Sequence, residues 1–204
     1  MNKSNKIKII PKPTKEKVLY YLDCWKKRPN YVAQEKALNK LFLKVYPRND
    51  DIDDILIKAS SLNDFYSTNI FSIYSVAQHI YSLNIDEKLG EIELINDIAK
   101  LQINEVDKNF YSFATKYCSH HKPDIYPIYD SYVEKVLMHF KKYYKFAKFT
   151  GKELRDYKRF VEILQLFRKN FELENFSLKE IDRYLWELGK EYFPKKYKKK
   201  KLDR

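Results

Sequence analysis

At 204 residues, 44% of them hydrophobic and 16% aromatic, the chain can bury one core and does not need a second domain. With only 3 Gly and 7 Pro it is neither loop-rich nor disordered, and long regular elements are expected. The 40 Lys and Arg against 28 Asp and Glu leave a net charge of +12, a footprint for polyanions, while 2 Cys exclude both a disulfide framework and a four-cysteine iron–sulfur cluster.

The basic excess gathers at Lys3 to Lys17, Lys141 to Lys152 and Lys195 to Lys201. Only seven of the basic residues are Arg, so most of the charge consists of ammonium groups that hold phosphates without reading base edges bidentately. The two terminal runs are equally well read as solvated tails or as contacts with DNA. No lipidation signal or amphipathic anchor accompanies them, the start lacks the apolar stretch of a signal peptide, and no apolar run approaches the ~20 residues of a membrane span. A soluble, cytoplasmic, monomeric protein is the expectation.

Thr14 caps a first helix with Val18, Leu22 and Trp25 on one face, and Pro29 is expected to stop it. Ala37, Leu38, Leu41, Phe42 and Val45 form a second amphipathic helix ending before Pro47. After the cap Asn49-Asp50-Asp51, Ile52 to Leu62 has helical period, and Tyr66-Ser67-Thr68-Asn69 is a polar break before the helix of Ile73 to Leu83. Ile92, Ile95, Ile98 and Leu101 predict a shorter helix, and Phe110, Phe113, Ala114, Tyr117 and Cys118 another, closed by the loop His120-His121-Lys122-Pro123. Asp130 then opens the helix of Val133, Val136, Leu137 and Phe140. A helix through Leu154, Tyr157, Val161, Leu164 and Phe167 follows. The last begins at the capping box of Ser177 and Glu180, with Gly189 as its expected stop. Alternating strand patterns and Asn-Gly or Asp-Gly hairpin signals are absent. The expected fold is all-α: one compact domain of about eight helices over 14–194, between a basic leader at 1–13 and a basic tail at 195–204.

The informative stretch is Tyr126-Pro127-Ile128-Tyr129-Asp130-Ser131-Tyr132-Val133, preceded by the helix carrying Phe113-Ala114-Thr115-Lys116. It resembles the segment of the helix-hairpin-helix DNA glycosylases that reads aromatic-Pro-Val-Asp-x-x-Val, with Tyr129 as one additional residue. Upstream, Ile55 to Asn63, Ser67-Thr68-Asn69 and a helix bearing Val76 and Ala77 look like that family's early helix-turn-helix pair. Together the two segments cover roughly half of the chain. Two of the family's features are missing: the Gly-x-Gly turn that grips a phosphate, since Ile103 to Lys108 contains no Gly, and the four-cysteine motif of some members.

The resemblance implies a DNA glycosylase-like fold and hydrolysis of an N-glycosidic bond on a damaged or modified base turned out of duplex DNA, with simple excision favoured over strand cleavage. Asp130 takes the catalytic place, its carboxylate stabilising an oxocarbenium-like sugar and orienting water. The everted base needs aromatic and amide groups, for which Tyr66, Tyr129, Trp186 and Asn63 are the candidates. Ser67, Thr68, Asn69, Lys108, Lys116, Ser119, His120, His121 and Lys122 are the expected DNA contacts. No metal and no cofactor are expected, because adjacent histidines seldom converge on one ion and Cys118 adds no fourth ligand. The bland readings stand beside these: Asp130 as an ordinary N-cap, His79 and His139 as packed or surface histidines, most of the 31 Phe and Tyr as core. The alternatives in function are a non-catalytic DNA- or RNA-binding helical protein and one component of a defence or toxin pair, such as phage defence.

Overall fold

The computed structural model describes residues 9–194. Among them, nine α-helices and one β-hairpin form an all-α architecture, with short 3-10 and π turns between helices. The helices begin where local chemistry places them. Thr14 accepts from the Lys17 amide to open α1 (Lys15–Lys26), and Asp51 accepts from the Asp53 and Asp54 amides to open α3 (Ile52–Phe65). Pro29 does not end α1 but starts α2 (Pro29–Lys40), where its missing N–H costs nothing in the first turn. A π-helical turn, Leu41–Val45, extends α2 and buries Phe42.

After α4 (Ile73–Ser82), the helix expected through Leu101 is only α5 (Leu94–Ala99). The chain then turns into an antiparallel hairpin of β1 (Lys100–Ile103) and β2 (Val106–Asn109), with Ile103 opposite Val106. Asn104 and Glu105 both adopt left-handed conformations, φ 48° and 63°, the handedness a two-residue loop needs to match strand twist. Leu101 and Ile103 alternate inward on β1, which carries the strand without a glycine in its turn.

The next helix, α6 (Tyr111–His121), is the axis of the molecule: every side chain from Phe113 to His121 is buried. His120 and His121 therefore belong to its last turn and not to an exposed loop. Beyond it come α7 (Ser131–Tyr144), α8 (Tyr157–Asn170) and α9 (Leu178–Tyr192). The closest packing pairs α7 with α9, α1 with α9, α3 with α4 and α5 with α6, so the two ends of the chain are joined through α1 and α9.

Ser177 and Glu180 form the expected capping box on α9, but Gly189 is no stop. It lies inside the helix where α9 crosses the first turn of α7; a Cβ there would stand 3.0 Å from Tyr132 Cα and Cγ, and closer still to its Cβ. The fold also starts earlier than 14. Ile10 is fully buried, its amide donates to His139 Nε2 (3.0 Å), and Tyr144 Oη donates to its carbonyl (2.8 Å). Of the expected leader, residues 1–8 lie outside the described residues, as do the tail at 195–204 and its lysine run. Among the described residues no helix is long and apolar enough to cross a membrane.

Candidate active site

The link between α6 and α7 is strapped down along its length. Tyr126 is buried, its hydroxyl accepting from the Gly90 amide (2.7 Å) and donating to the Glu91 carbonyl (2.9 Å). Tyr157 Oη on α8 donates to the Pro127 carbonyl (3.0 Å). On α6, Ser112 Oγ donates to the Tyr129 carbonyl (2.9 Å), while the Tyr129 amide donates to Thr115 Oγ1 (3.2 Å). These bonds deliver Asp130 to the start of α7 in an extended conformation, where Oδ1 accepts from the amides of Tyr132 (2.8 Å) and Val133 (2.9 Å). Both bonds converge on one oxygen; among the described residues Oδ2 takes no hydrogen bond. Asp130 is thus an N-cap and a cleft residue at once, beside the positive end of a helix of 14 residues.

The cleft has a volume of about 750 Å³ and is walled by α2, the turn after α3, the first half of α6, the link with the start of α7, and α9. Lys116 sits in its floor. Its ammonium donates to the Ser112 carbonyl (3.2 Å) and to Ser112 Oγ, and lies 5.3 Å from the centre of the Tyr66 ring. The Tyr66 hydroxyl donates to His120 Nε2 (3.1 Å), which places the histidine proton on Nδ1, donating to Asn39 Oδ1 (3.2 Å). Burial, then the charge of Lys179, then His121, pushes His120 down to about 3, so the ring is neutral and able to accept.

Across the cleft, α9 presents a stripe at Lys179, Asp182, Arg183, Trp186 and Lys190, while its other face, Ile181, Leu185 and Leu188, is in the core. Asp182 is 6% exposed, and its nearest cation is Lys179 Nζ at 3.9 Å. Burial above all, with Asp130 adding to it and Lys179, Lys116 and Arg183 opposing, raises its carboxyl to about 7. Glu35 of α2 accepts from Arg183 (2.7 Å) and lies 3.6 Å from Lys179. At the rim, Trp186 meets Tyr31 and Trp25 edge to face with ring centres 5.0 and 5.3 Å apart, and the Lys190 ammonium stands 4.5 and 4.6 Å from the Tyr31 and Trp186 ring centres.

Of the residues singled out by sequence, Asp130, Tyr66, Tyr129, Trp186, Ser67, Thr68 and Lys116 all line this cleft. Tyr129 is a wall and not a platform: it is buried, packed on Tyr111 and Phe160, with its hydroxyl on Glu134. Asn63 is outside. Its Oδ1 accepts from Thr68 Oγ1 (2.6 Å) and the Ile70 amide (3.0 Å), and its Nδ2 donates to the Ile70 carbonyl (3.0 Å), so it pins the turn that Ser67 (φ 48°) and Asn69 (φ 56°) make.

Asn69, Lys108, Ser119, His120, His121 and Lys122 are not among the cleft's lining residues. Lys108 is exposed on β2, Ser119 is buried, His121 is packed on Phe42 and Tyr117 and held down to about 3 by burial, and Lys122 donates to the Leu89 carbonyl (2.6 Å). Sequence reasoning missed Asp182, Glu35, Lys179 and Arg183, and also Phe71, which is 98% exposed beside the turn. The polar stripe of α9 at 179, 182, 183, 186 and 190 was the available signal.

The charge of the site is nearly balanced, although the chain as a whole is strongly basic. Lys116, Arg155, Lys179, Arg183 and Lys190 face Glu35, Asp130, Glu134 and Asp182, a nearly balanced set. The Lys141 to Lys152 run starts in the last turn of α7, whose end is about 20 Å from Asp130 at 1.5 Å per residue. Ile10 is bound to Tyr144 at that same end, so Lys12, the one basic residue of the leader among the described residues, comes near it. Among the described residues no cluster of three or more His, Cys, Asp or Glu is placed to hold a metal ion.

Residues 17–125 match the model of the family described as HI_0787_N, an N-terminal domain. A Haemophilus influenzae protein, named only as an uncharacterized protein, is 48% identical over 147 residues, which is 71% of this chain and 70% of that protein. The chain belongs to the HI_0787_N family. No solved structure matches it. The family's domain supplies Tyr31, Glu35, Tyr66, Ser112 and Lys116 to the cleft and ends within the link, five residues before Asp130. Asp130, Asp182, Arg183 and Trp186 come from the remainder, so both stretches are needed to close the site.

Proposed function

We propose that this protein hydrolyses the N-glycosidic bond of a damaged or modified nucleotide turned out of duplex DNA. The observation that carries the reading is the position of Asp130: a carboxylate with one oxygen tied to helix amides and the other unbonded among the described residues, at the wall of a cleft of about 750 Å³ that also holds a lysine and aromatic rings. A pocket of this size falls within the range of ligand sites and accepts a nucleoside. A carboxylate near C1′ stabilises the positive charge that develops on the sugar as the bond breaks, and it orients water for attack. Tyr66 and Trp186 offer ring faces to the everted base, and Phe71, exposed just after the turn whose Thr68 and Ile70 line the cleft, has the chemistry of a wedge between base steps. The basic end of α7 lies about 20 Å away, a span of roughly six base pairs along the duplex, and so serves to hold phosphates flanking the target.

The test is a mass-spectrometric search for free base after incubation with duplexes carrying uracil, hypoxanthine, 8-oxoguanine or alkylated purines. The full chain is expected to release at least one of them, and Asp130→Asn to stop release while binding the same duplex within about threefold. Equal release by the variant removes Asp130 from its role. No release from any duplex, with salt-steep binding retained, favours a non-catalytic nucleic-acid-binding module.

A further inference from the structure

We infer that Asp182 is the proton donor of this site, delivering a proton to the departing base from α9 while Asp130 serves the sugar, and that the substrates therefore carry an uncharged base. The inference rests on the glycosidic reading above and says which bases that reading allows.

Asp182 is more than nine-tenths buried, yet it lines the cleft. Among the described residues no hydrogen bond reaches its carboxyl, and Lys179 Nζ at 3.9 Å is beyond hydrogen-bond distance. A buried acid facing a cavity, with a cation at ion-pair distance but no hydrogen-bond partner among the described residues, is built either to be neutral or to meet a ligand. Around it stand Lys179 and Arg183 on α9, Lys116 on α6, Asp130 on α7 and Glu35 on α2; the two lysines and Arg183 favour its anion, and burial and Asp130 favour the acid. The balance lies near neutrality, at about 7, so a proton is available at physiological pH. Two carboxyl groups in one site divide the work: Asp130 faces the positive charge that develops on the sugar, and Asp182 gives a proton.

The step balances. The C1′–N bond breaks with both electrons going to the base nitrogen, and the Asp182 proton passes to a ring nitrogen or exocyclic oxygen of the base, leaving Asp182 as carboxylate. Water bonds to C1′ and gives its proton to Asp130, from which it returns to Asp182 through solvent. One water is consumed, and one free base and one abasic sugar are formed. A base made cationic by alkylation, such as 7-methylguanine, leaves as a neutral molecule and needs no such proton.

The experiment compares release of hypoxanthine, 8-oxoguanine or uracil with release of 7-methylguanine, using the full chain and Asp182→Asn. The substitution is expected to slow release of the uncharged bases by about 100-fold or more, and to leave any 7-methylguanine release within about threefold of wild type. In the unaltered protein, release of an uncharged base should fall as pH rises through about 7 to 8, whereas 7-methylguanine release should lack that limb; this readout does not depend on whether the variant folds. Unchanged release of uncharged bases by Asp182→Asn, equal loss of both classes, or a flat pH profile overturns the assignment while leaving the glycosidic reading standing. If the wild type frees only 7-methylguanine the assignment also falls, and if it frees no base at all the glycosidic reading itself fails.

Discussion

Replacing Gly189 by Ala separates two accounts of α9 that predict opposite signs. If the glycine is only a weak residue in a helix interior, Ala stabilises by about 1 kcal/mol and raises Tm. In the structure, however, the added Cβ would stand 3.0 Å from Tyr132 Cα and Cγ and nearer its Cβ, against the ~3.5–4.0 Å of ordinary carbon contacts. The obstacle includes backbone, not the far end of a flexible side chain, so α9 must withdraw from α7 by about 1 Å. Overpacking of this kind costs about 1–3 kcal/mol, and with the contact this short the upper end applies. After the gain in helix propensity the net loss is about 2 kcal/mol, or roughly 4–8 °C in Tm for a chain of this size. Thermal melts followed by circular dichroism measure it directly. Gly151→Ala is the control, because its Cβ would meet only Glu134 Oε1 at 3.7 Å and its Tm should hold. A Tm for Gly189→Ala equal to or above that of the wild type would refute the close-approach argument. The same withdrawal separates Asp130 at the start of α7 from Asp182 on α9, so the base release proposed above, assayed at 25 °C where the variant remains folded, should also decline.

Three further outcomes follow from the interior. His120 and His121 are buried and held down to about 3, whereas in the unfolded chain they titrate near 6.5, so the unfolded state takes up protons first as pH falls. Their contribution is complete above about 6.5 and is lost toward 3; between pH 7 and 5 the pair should remove about 4 kcal/mol, read as a falling urea midpoint, and a flat midpoint over that interval contradicts the assignment. Lys58 is fully buried and donates to the carbonyls of Tyr46 (3.0 Å) and Arg48 (2.6 Å) and to Asn49 Oδ1 (2.7 Å). Lys58→Met strands the two carbonyls and should cost roughly 2–4 kcal/mol by guanidinium unfolding; a loss under about 1 kcal/mol would show that water replaces the ammonium. Ser177→Ala removes the hydroxyl that accepts from the Glu180 amide, while the residue 177 amide still donates to Glu180, and should destabilise by about 1 kcal/mol, with an unchanged melt as the contrary result.

The starts of α1, α3, α7 and α9 could be read from Thr14, Asp51, Asp130 and Ser177, because a cap is a contract between residues two or three apart. Apolar spacing likewise marked the buried faces of α3, α4, α7 and α8. The failures have a common form. The hairpin at Asn104 and Glu105 is held by strand pairing and by Leu101 and Ile103 turning inward, not by its turn residues. His120 and His121 looked like a polar loop before Pro123, but Tyr66, Asn39, Phe42 and Tyr117 enclose them from distant parts of the chain.

Asp130 was legible as a cap with a Pro-bearing lead-in; what lies opposite it was not. Arg183 and Glu35 are 148 residues apart, and Arg28 and Glu187 159, yet these ion pairs hold α2 against α9 to form one side of the cleft. Sequence alone determined the helices, their faces and the carboxylate at the head of α7, since these depend on neighbours within about one turn. Only the tertiary structure decided that Asp182 faces the same cavity and that the lysine-rich end of α7 points away from it, because those facts depend on where helices cross, which no local spacing encodes.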